Sequence, residues 1–235
     1  QTNTRALPRP PMDMRPPLQP VNRPHVVRAV PASAQPSPAI DGDTDSAGRA
    51  CTPTLDAALI DGALTLLALD APCDPGARVD IRHGGLAFSG RTDAYGRFST
   101  AVPALTILAR FEADIGTTAA EVTLAAPDAP RMRRLAVQWT GTADLDLHAL
   151  EFGAISGGPG HVWRQAPGNP WAEGGTLMQL GQSDLAVAQV YSFPADLAGR
   201  IGVVDMSVQA NITTQTCGKT VQATVIQTLP DGFPK

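Results

Sequence analysis

The sequence predicts an all-β protein, in which two consecutive antiparallel β-sandwiches follow an extended, Pro-rich N-terminal arm. Three observations support this prediction. Prolines are concentrated in residues 1–48, where they exclude both helix and central strand. From residue 51 onward, short apolar or alternating runs are separated by Gly, Asp and Pro, as in antiparallel sandwiches. No amphipathic helix of convincing length interrupts them.

Composition narrows the class of protein. The chain has 235 residues, of which 43 % are hydrophobic, so it can bury a core. Charged residues make up 17 % and the net charge is -4, unlike a nucleic-acid-binding protein, which usually has a strongly basic face. No apolar run approaches the roughly 18 to 20 residues that span a bilayer. We therefore expect neither a nucleic-acid partner nor a membrane span.

The start of the chain indicates its compartment. It begins "QTNTRALPRPP" without an initiator Met, as a mature chain does after its signal peptide has been removed. Lysine is nearly absent, whereas Ala, Gly, Thr and Pro are abundant. We expect an extracytoplasmic protein, in the periplasm, at the cell surface or secreted.

The three cysteines, Cys51, Cys73 and Cys217, lack the spacing of a zinc or redox motif. In an oxidising compartment two of them are expected to pair. We favour Cys51 with Cys73, because both flank the first strands and the bridge would close a short loop. Such a bridge contributes about 3 kcal/mol. The other two pairings stay open, and Cys217 would then be free, buried or intermolecular.

The arm, residues 1–48, combines prolines with positive charge. Five arginines face a single acid, Asp13, before residue 40. Polyproline II or extended coil is expected, and "DGDTDSAG" (41–48) would form an acidic joint. A solvated spacer is one interpretation. In the other, the arm docks on an acidic protein surface, and its anchors are Leu7, Met12, Met14, Leu18, Val21, Val26 and Val27 with Arg5, Arg9 and Arg15.

Residues 49–126 are predicted to form the first sandwich. Its strands are "TLDAALI", "ALTLLALDAPC", "ARVDIRHGGLAFSG", a strand carrying Phe98, Thr100 and Val102 on one face, "ARFEADIG" and "AEVTLAAP". The stretch "VDIRHGGLAFSGRTDAYGRFSTAVPAL", with its T-D-x-x-G-x-F turn, resembles the carboxypeptidase-regulatory-like and transthyretin-like family of Ig-type sandwiches. The resemblance implies an Ig-like fold and a non-catalytic structural or interaction module.

Residues 127–235 are predicted to form the second sandwich. "RLAVQWTG" and "ADLDLHALEFGA" are strands joined by a tight turn at 140–142, and a Gly- and Pro-rich loop with one short strand at 161–164 follows them. The later strands are "TLMQLG", "LAVAQVYSF", "IGVVDMSVQANITT" and "KTVQATVIQTL", the last two joined by a hairpin with Cys217 near its tip. Trp139 and "ADLDLH" resemble bacterial β-sandwich domains with a W-x-x-x-A-D-L-D-L-H-V pattern, and over both halves the chain resembles secreted bacterial proteins. Neither resemblance implies an activity.

The row Asp144, Asp146 and His148 alternates with Leu145, Leu147 and Ala149, so we expect it to face away from the core. The first hypothesis is a solvated strand face that hydrogen-bonds to the Gly-rich loop. The second is a Ca²⁺ site, in which the two aspartates and loop carbonyls at 157–160 supply oxygens. The third is a transition-metal site formed by His148, His161 and a carboxylate.

Catalysis has little support in the sequence. It contains no G-x-S-x-G elbow, no HExxH and no Walker loop, and an enzyme would need a cleft around His148, Glu151 and His161. Trp163 and Trp171, near Arg164 in the Gly/Pro-rich loop, either cover the sheet end or bind a sugar or protein partner. Trp139 is expected in the core.

Together these features predict a non-enzymatic structural or accessory subunit without a cofactor. Its arm would dock on another subunit or a neighbouring copy in a periplasmic or cell-surface assembly, because a Pro-rich segment has no core of its own. The alternative is a carbohydrate- or Ca²⁺-dependent surface-binding module that uses the Trp163/Trp171 loop.

Overall fold

The computed structural model describes residues 44–45, 47–169, 174–195, 202–214 and 216–228. In these residues the chain is all-β, as predicted, and its strands form four antiparallel sheets. Two short 3₁₀ turns, Asp61–Ala63 and Ala129–Arg131, accompany the strands. No helix within these ranges has the length and hydropathy that a bilayer crossing requires.

Seven strands form the first half of the fold. They are β1 (Thr54–Ile60), β2 (Leu64–Asp70), β3 (Arg78–His83), β4 (Leu86–Arg91), β5 (Arg97–Pro103), β6 (Leu108–Ile115) and β7 (Thr118–Ala125). One sheet has the order β1-β2-β5 and the other β4-β3-β6-β7. Alternation places Leu67, Ile81, Phe88 and Phe111 in the shared core, each almost fully buried.

The predicted turn and the predicted disulfide are both present in this half. Asp93 Oδ1 accepts hydrogen bonds from the backbone N–H groups of Tyr95 and Arg97 at 2.8 and 2.9 Å, and Gly96 adopts a φ of 75°. Cys51 is bonded to Cys73, with 5.1 Å between the Cα atoms. Cys217 is a free, exposed thiol.

Seven further strands form the second half. They are β8 (Met132–Thr140), β9 (Leu145–Glu151), β10 (His161–Val162), β11 (Thr176–Gly181), β12 (Ala186–Pro194), β13 (Val204–Ala210) and β14 (Ala223–Gln227). One sheet has the order β11-β12-β8-β14, and the other β10-β9-β13. The prediction of a hairpin between the last two strands was wrong, because β13 pairs with β9 and β14 with β8, in different sheets.

The two central strands of this four-stranded sheet, β8 and β12, are buried on both faces. Ala136, Ala188 and Val190 join the core of the first half. The opposite face contributes Val137, Val187 and Trp139 to a second core, which also holds Leu147 and Ala149 of β9. Trp139 is therefore a core residue, as expected. Residues of both halves thus belong to one continuous apolar cluster on the first of these two faces.

Buried polar side chains fasten the two halves together. Arg134 of β8 is 2 % exposed, and its guanidinium donates to the carbonyl oxygens of Ala104 at 2.6 Å, Gly62 at 2.8 Å and Ala63 at 3.2 Å. Its Nε also donates to Ser192 Oγ at 3.2 Å. Because no carboxylate accompanies it among these contacts, burial lowers the pKa of Arg134 to about 10.

Within the second half, Gln189 of β12 joins the two sheets. It is fully buried, its Oε1 accepts the backbone N–H of Leu147 at 2.6 Å, and its Nε2 lies 3.4 Å from the carbonyl oxygen of Leu145. The two-residue β10 reaches only Ala149 and Leu150 of β9. The Gln189 amide thus serves the stretch of β9 that lacks a strand neighbour on that side.

Several predicted residues lie outside the described ranges. Trp171 is one of them, and so is the whole set of arm anchors, namely Leu7, Met12, Met14, Leu18, Val21, Val26, Val27, Arg5, Arg9 and Arg15.

Candidate functional site

Strand β9 presents its two faces to different surroundings. Leu145, Leu147 and Ala149 point into the second core, as alternation predicted. Asp146 and His148 point the other way, but they are only 7 % and 6 % exposed. The hypothesis of a solvated strand face is therefore wrong for these two residues, because the loop that contains β10 folds over them.

The covering loop brings an aromatic cluster over His148. The ring centroid of His148 lies 5.0 Å from that of His161 and 5.2 Å from that of Trp163, and the rings are nearly parallel. His161 and Trp163 are 5.4 Å apart with an interplanar angle of 1°. Trp163 is half-buried, and its ring stacks against the imidazole of His148 on β9.

Hydrogen bonds fix the tautomers of both histidines. The backbone N–H of Gly157 donates to His161 Nδ1 at 2.8 Å, so neutral His161 carries its proton on Nε2. That proton is donated to His148 Nδ1 at 2.8 Å, which leaves the His148 proton on Nε2, 3.8 Å from Asp146 Oδ2. Burial lowers the pKa of His148, against the opposing effect of Asp146.

The two hydrogen bonds of this histidine pair end at a backbone amide. A peptide N–H neither accepts nor releases a proton near neutral pH, so the His148–His161 pair has no outlet at its Gly157 end. The arrangement can orient the loop, but as a proton relay it is closed there.

Arg164 neutralises the acidic end of the row. Its Nη1 lies 2.6 Å from Asp144 Oδ1, and its Nε lies 3.5 Å from Asp146 Oδ2. Asn211 Nδ2 contacts the second oxygen of Asp144 at 3.3 Å. The hydrogen bond from Arg164 lowers the pKa of Asp144. A guanidinium thus already contacts both carboxylates that the Ca²⁺ hypothesis would use.

The enzyme hypothesis requires a cleft around His148, Glu151 and His161. Glu151 and His161 do line a common cleft, but the carboxylate of Glu151 is engaged by neighbouring protein groups. Glu151 shares the inward face of β9, where its Oε1 accepts hydrogen bonds from Tyr191 Oη and the backbone N–H of Gly175, both at 2.7 Å. Burial, followed by this hydrogen bond, raises the pKa of Tyr191. Sequence reasoning missed Tyr191, although its spacing of four residues from Val187 on β12, which puts both side chains on one face, was a usable signal.

An apolar groove lies away from these residues. It has a volume of about 530 Å³ and lies at the junction of the two halves, where Ile60, Leu64, Met132, Leu177 and Met178 contribute to its walls. None of the residues singled out from the sequence lines it. In the part of the chain that the structure describes, no group of three or more His, Cys, Asp or Glu side chains is arranged to hold a metal ion.

Comparison of the chain with protein-family models, with curated proteins and with solved structures found no match.

Proposed function

We propose that the protein is a non-enzymatic, extracytoplasmic structural or accessory subunit whose N-terminal arm docks on another subunit or a neighbouring copy. In this proposal the strands form two tandem Ig-like sandwiches that act as a single support. The disulfide between Cys51 and Cys73 is compatible with an oxidising compartment.

The observation that carries the proposal is that the reactive side chains in and beside β9, Asp144 and His161 among them, bond to neighbouring protein groups. His161 is engaged by Gly157 and by His148, and Asp144 is engaged by Arg164 and Asn211. Catalytic groups need an unengaged atom that faces the substrate. Groups whose atoms are taken up by neighbouring protein groups instead stabilise the fold.

The junction supports the same role. A subunit that transmits or resists load needs halves that do not hinge, whereas a small polar interface leaves domains mobile. Here Arg134 is buried between the halves, and Gln138 adds a second bridge: it accepts the Ala87 N–H at 2.7 Å and lies 3.2 Å from the Gly85 carbonyl. The two halves are therefore suited to act as one rigid body.

The test compares the full chain with a chain that begins at Asp41 and with a full-length variant in which Leu18, Val21, Val26 and Val27 are replaced by Ser. Sedimentation velocity and co-purification from the native source would measure assembly, and circular dichroism would verify folding. We expect both altered proteins to fold and to lose assembly. An Asp41 chain that assembles like the full chain would contradict the proposal.

The alternative proposal is a carbohydrate- or Ca²⁺-dependent binding module. Its support is the position of half-buried Trp163 beside exposed Arg164 at the rim of the loop. Glycan binding that disappears with a chelator and returns with Ca²⁺ would favour this alternative, and the absence of glycan binding by the full chain would exclude it.

A further inference from the structure

The second sandwich has sheets of unequal width. Four strands in one sheet, β11-β12-β8-β14, face three in the other, β10-β9-β13. β9 contacts β12 across the gap, and Val162 of β10 and Leu177 of β11 belong to the same buried cluster. From this order we infer that β13 lies over β8. Within the described ranges, β14 then has no strand opposite it.

The uncovered surface between β13 and β14 is apolar. Val208 of β13 is 44 % exposed, although its cross-strand partner on the same face, Leu147, is 1 % exposed. In the opposite sheet Val225 of β14 is 55 % exposed, although its partner Val137 is 1 % exposed. Both valines face the interior of the sandwich at its open side. One added strand beside β13 would cover them.

The backbone of β13 is oriented to accept such a strand. Phe152 N–H donates to the Val203 carbonyl, and Asn211 N–H donates to the Asp144 carbonyl, so odd-numbered residues of this segment pair with β9. In an antiparallel ladder the alternate residues point outward. Val204, Met206, Val208 and Ala210 therefore direct their N–H and C=O groups to an edge that no strand among the described residues pairs.

This edge lacks the usual protection. Edge strands are commonly blunted by Lys, Pro or bulges. The sequence of β13, VDMSVQA, contains neither Lys nor Pro, and Asp205 is its one charged residue.

We propose that the β13 edge accepts an added strand, and that the donor is the segment His25–Val30 in the arm of a neighbouring copy. The donor's origin in a neighbouring copy rests on the assembly role proposed above. Strand addition of this kind joins main-chain hydrogen bonds with side-chain burial. Here the donor would bury apolar side chains against Val208 and Val225 and complete a sandwich of four strands on four.

The composition of the arm favours this donor. "HVVRAV" is a proline-free run of six between Pro24 and Pro31, and three of its residues are Val, which has a high strand propensity. Each neighbouring proline lacks the N–H that a ladder needs. The two prolines therefore limit the added strand to six residues, close to the seven residues of β13.

Charge favours the same pairing. Residues 1–40 contain five basic residues and one acidic residue, which leaves 13 basic and 21 acidic residues in 41–235. Opposite net charges attract the arm to the folded body. The chain between Val30 and Thr44 spans up to about 45 Å when extended, enough to bridge two adjacent bodies.

The experiment measures amide hydrogen exchange by NMR in the full-length protein. We expect slow exchange at the outward amides of Val204, Met206, Val208 and Ala210. In Val27→Pro, which removes a donor N–H, their exchange should accelerate at least about tenfold, the factor for 1.4 kcal/mol. Val27→Ala is the matched control and should retain protection. The amides of β13 that face β9 should not change in either variant.

A second pair of variants tests the acceptor. Val208→Pro removes an outward N–H, which an edge strand tolerates without unfolding, and Val208→Ala keeps it. Sedimentation should show assembly weakened at least about tenfold in Val208→Pro relative to Val208→Ala. Equal assembly of the two variants would overturn the assignment of this edge.

The outcomes separate the inference from the proposed function. Assembled protein whose outward amides exchange freely would overturn the β13 site and leave the assembly role standing. Monomeric protein with free exchange would overturn both. Monomeric protein whose outward amides lose protection in Val27→Pro would show that the arm occupies its own chain's edge, and would overturn donation between copies.

Discussion

Replacing Arg134 tests the strength of the junction between the two halves. The change Arg134→Met keeps an unbranched apolar stem but removes every guanidinium donor, so the carbonyl oxygens of Gly62 and Ala104 lose their charged partner. Arg134→Lys is the matched control, because it keeps the charge but replaces the planar guanidinium with a compact ammonium group.

The magnitude follows from two opposing contributions. Burial lowers the pKa of Arg134 from 12.5 to about 10, which corresponds to a penalty of about 3 kcal/mol for the charged form. Hydrogen bonds from a charged donor contribute about 1.5–3 kcal/mol each, and Arg134 makes four. The bonds exceed the penalty, so we expect Arg134→Met to lower the free energy of unfolding by about 3–5 kcal/mol.

Urea unfolding followed by circular dichroism would measure this loss, and calorimetry should show the melting temperature lowered by about 6–20 °C for a chain of this size. Arg134→Lys should lose about 1–3 kcal/mol, because an ammonium can still donate to one or two of the carbonyls. An Arg134→Met protein within about 1 kcal/mol of the wild type would refute the reasoning, since it would mean that the bonds only offset desolvation.

Three further predictions concern stability. His83 is buried, its Nδ1–H donates to the Arg110 carbonyl and its Nε2 accepts the Leu105 N–H, and burial lowers its pKa. As the pH falls, the unfolded chain therefore binds a proton first, and the free energy of unfolding, measured with urea, should fall between pH 6.5 and 5.5 by up to about 1.4 kcal/mol per pH unit. A flat profile would contradict this. Gly96→Ala would place a Cβ 2.0 Å from the Ala71 carbonyl oxygen at a φ of +75°, so thermal unfolding should show a loss of more than about 2 kcal/mol, against about 1 kcal/mol for the control Gly116→Ala, which meets no atom. Reduction of the disulfide should lower stability by about 3 kcal/mol, measured with and without reductant, and equal midpoints would refute it.

The strands were predictable because local patterns specify them. In β9 a period of two placed Leu147 inward and His148 outward, and the Asp93 turn followed from its T-D-x-x-G spacing. Burial of the outward face was not predictable in the same way. It depends on a loop that returns from about ten residues later along the chain, and nothing in the DLDLH pattern distinguishes a covered face from a wet one.

The role of Arg134 at the junction could not be predicted from the sequence for a similar reason. Arg134 lies in the run Arg131–Leu135, which contains three arginines, and only the tertiary structure selects the one whose side chain faces the first half. The continuous apolar run of β12 did carry a signal, because strands buried on both faces lose their alternation. Here Val187 faces one core and Ala188 the other.

The amide of Gln189 has a consequence for the precision of folding. Apolar contacts between two sheets tolerate a slip of one strand by two residues, because the same faces still meet. A side chain that bonds the main chain at Leu147 across the gap tolerates no such slip. This hydrogen bond therefore specifies a single register for β9. A Gln189→Leu protein would keep an apolar core but would lose the contact that distinguishes the correct strand register from a shifted one.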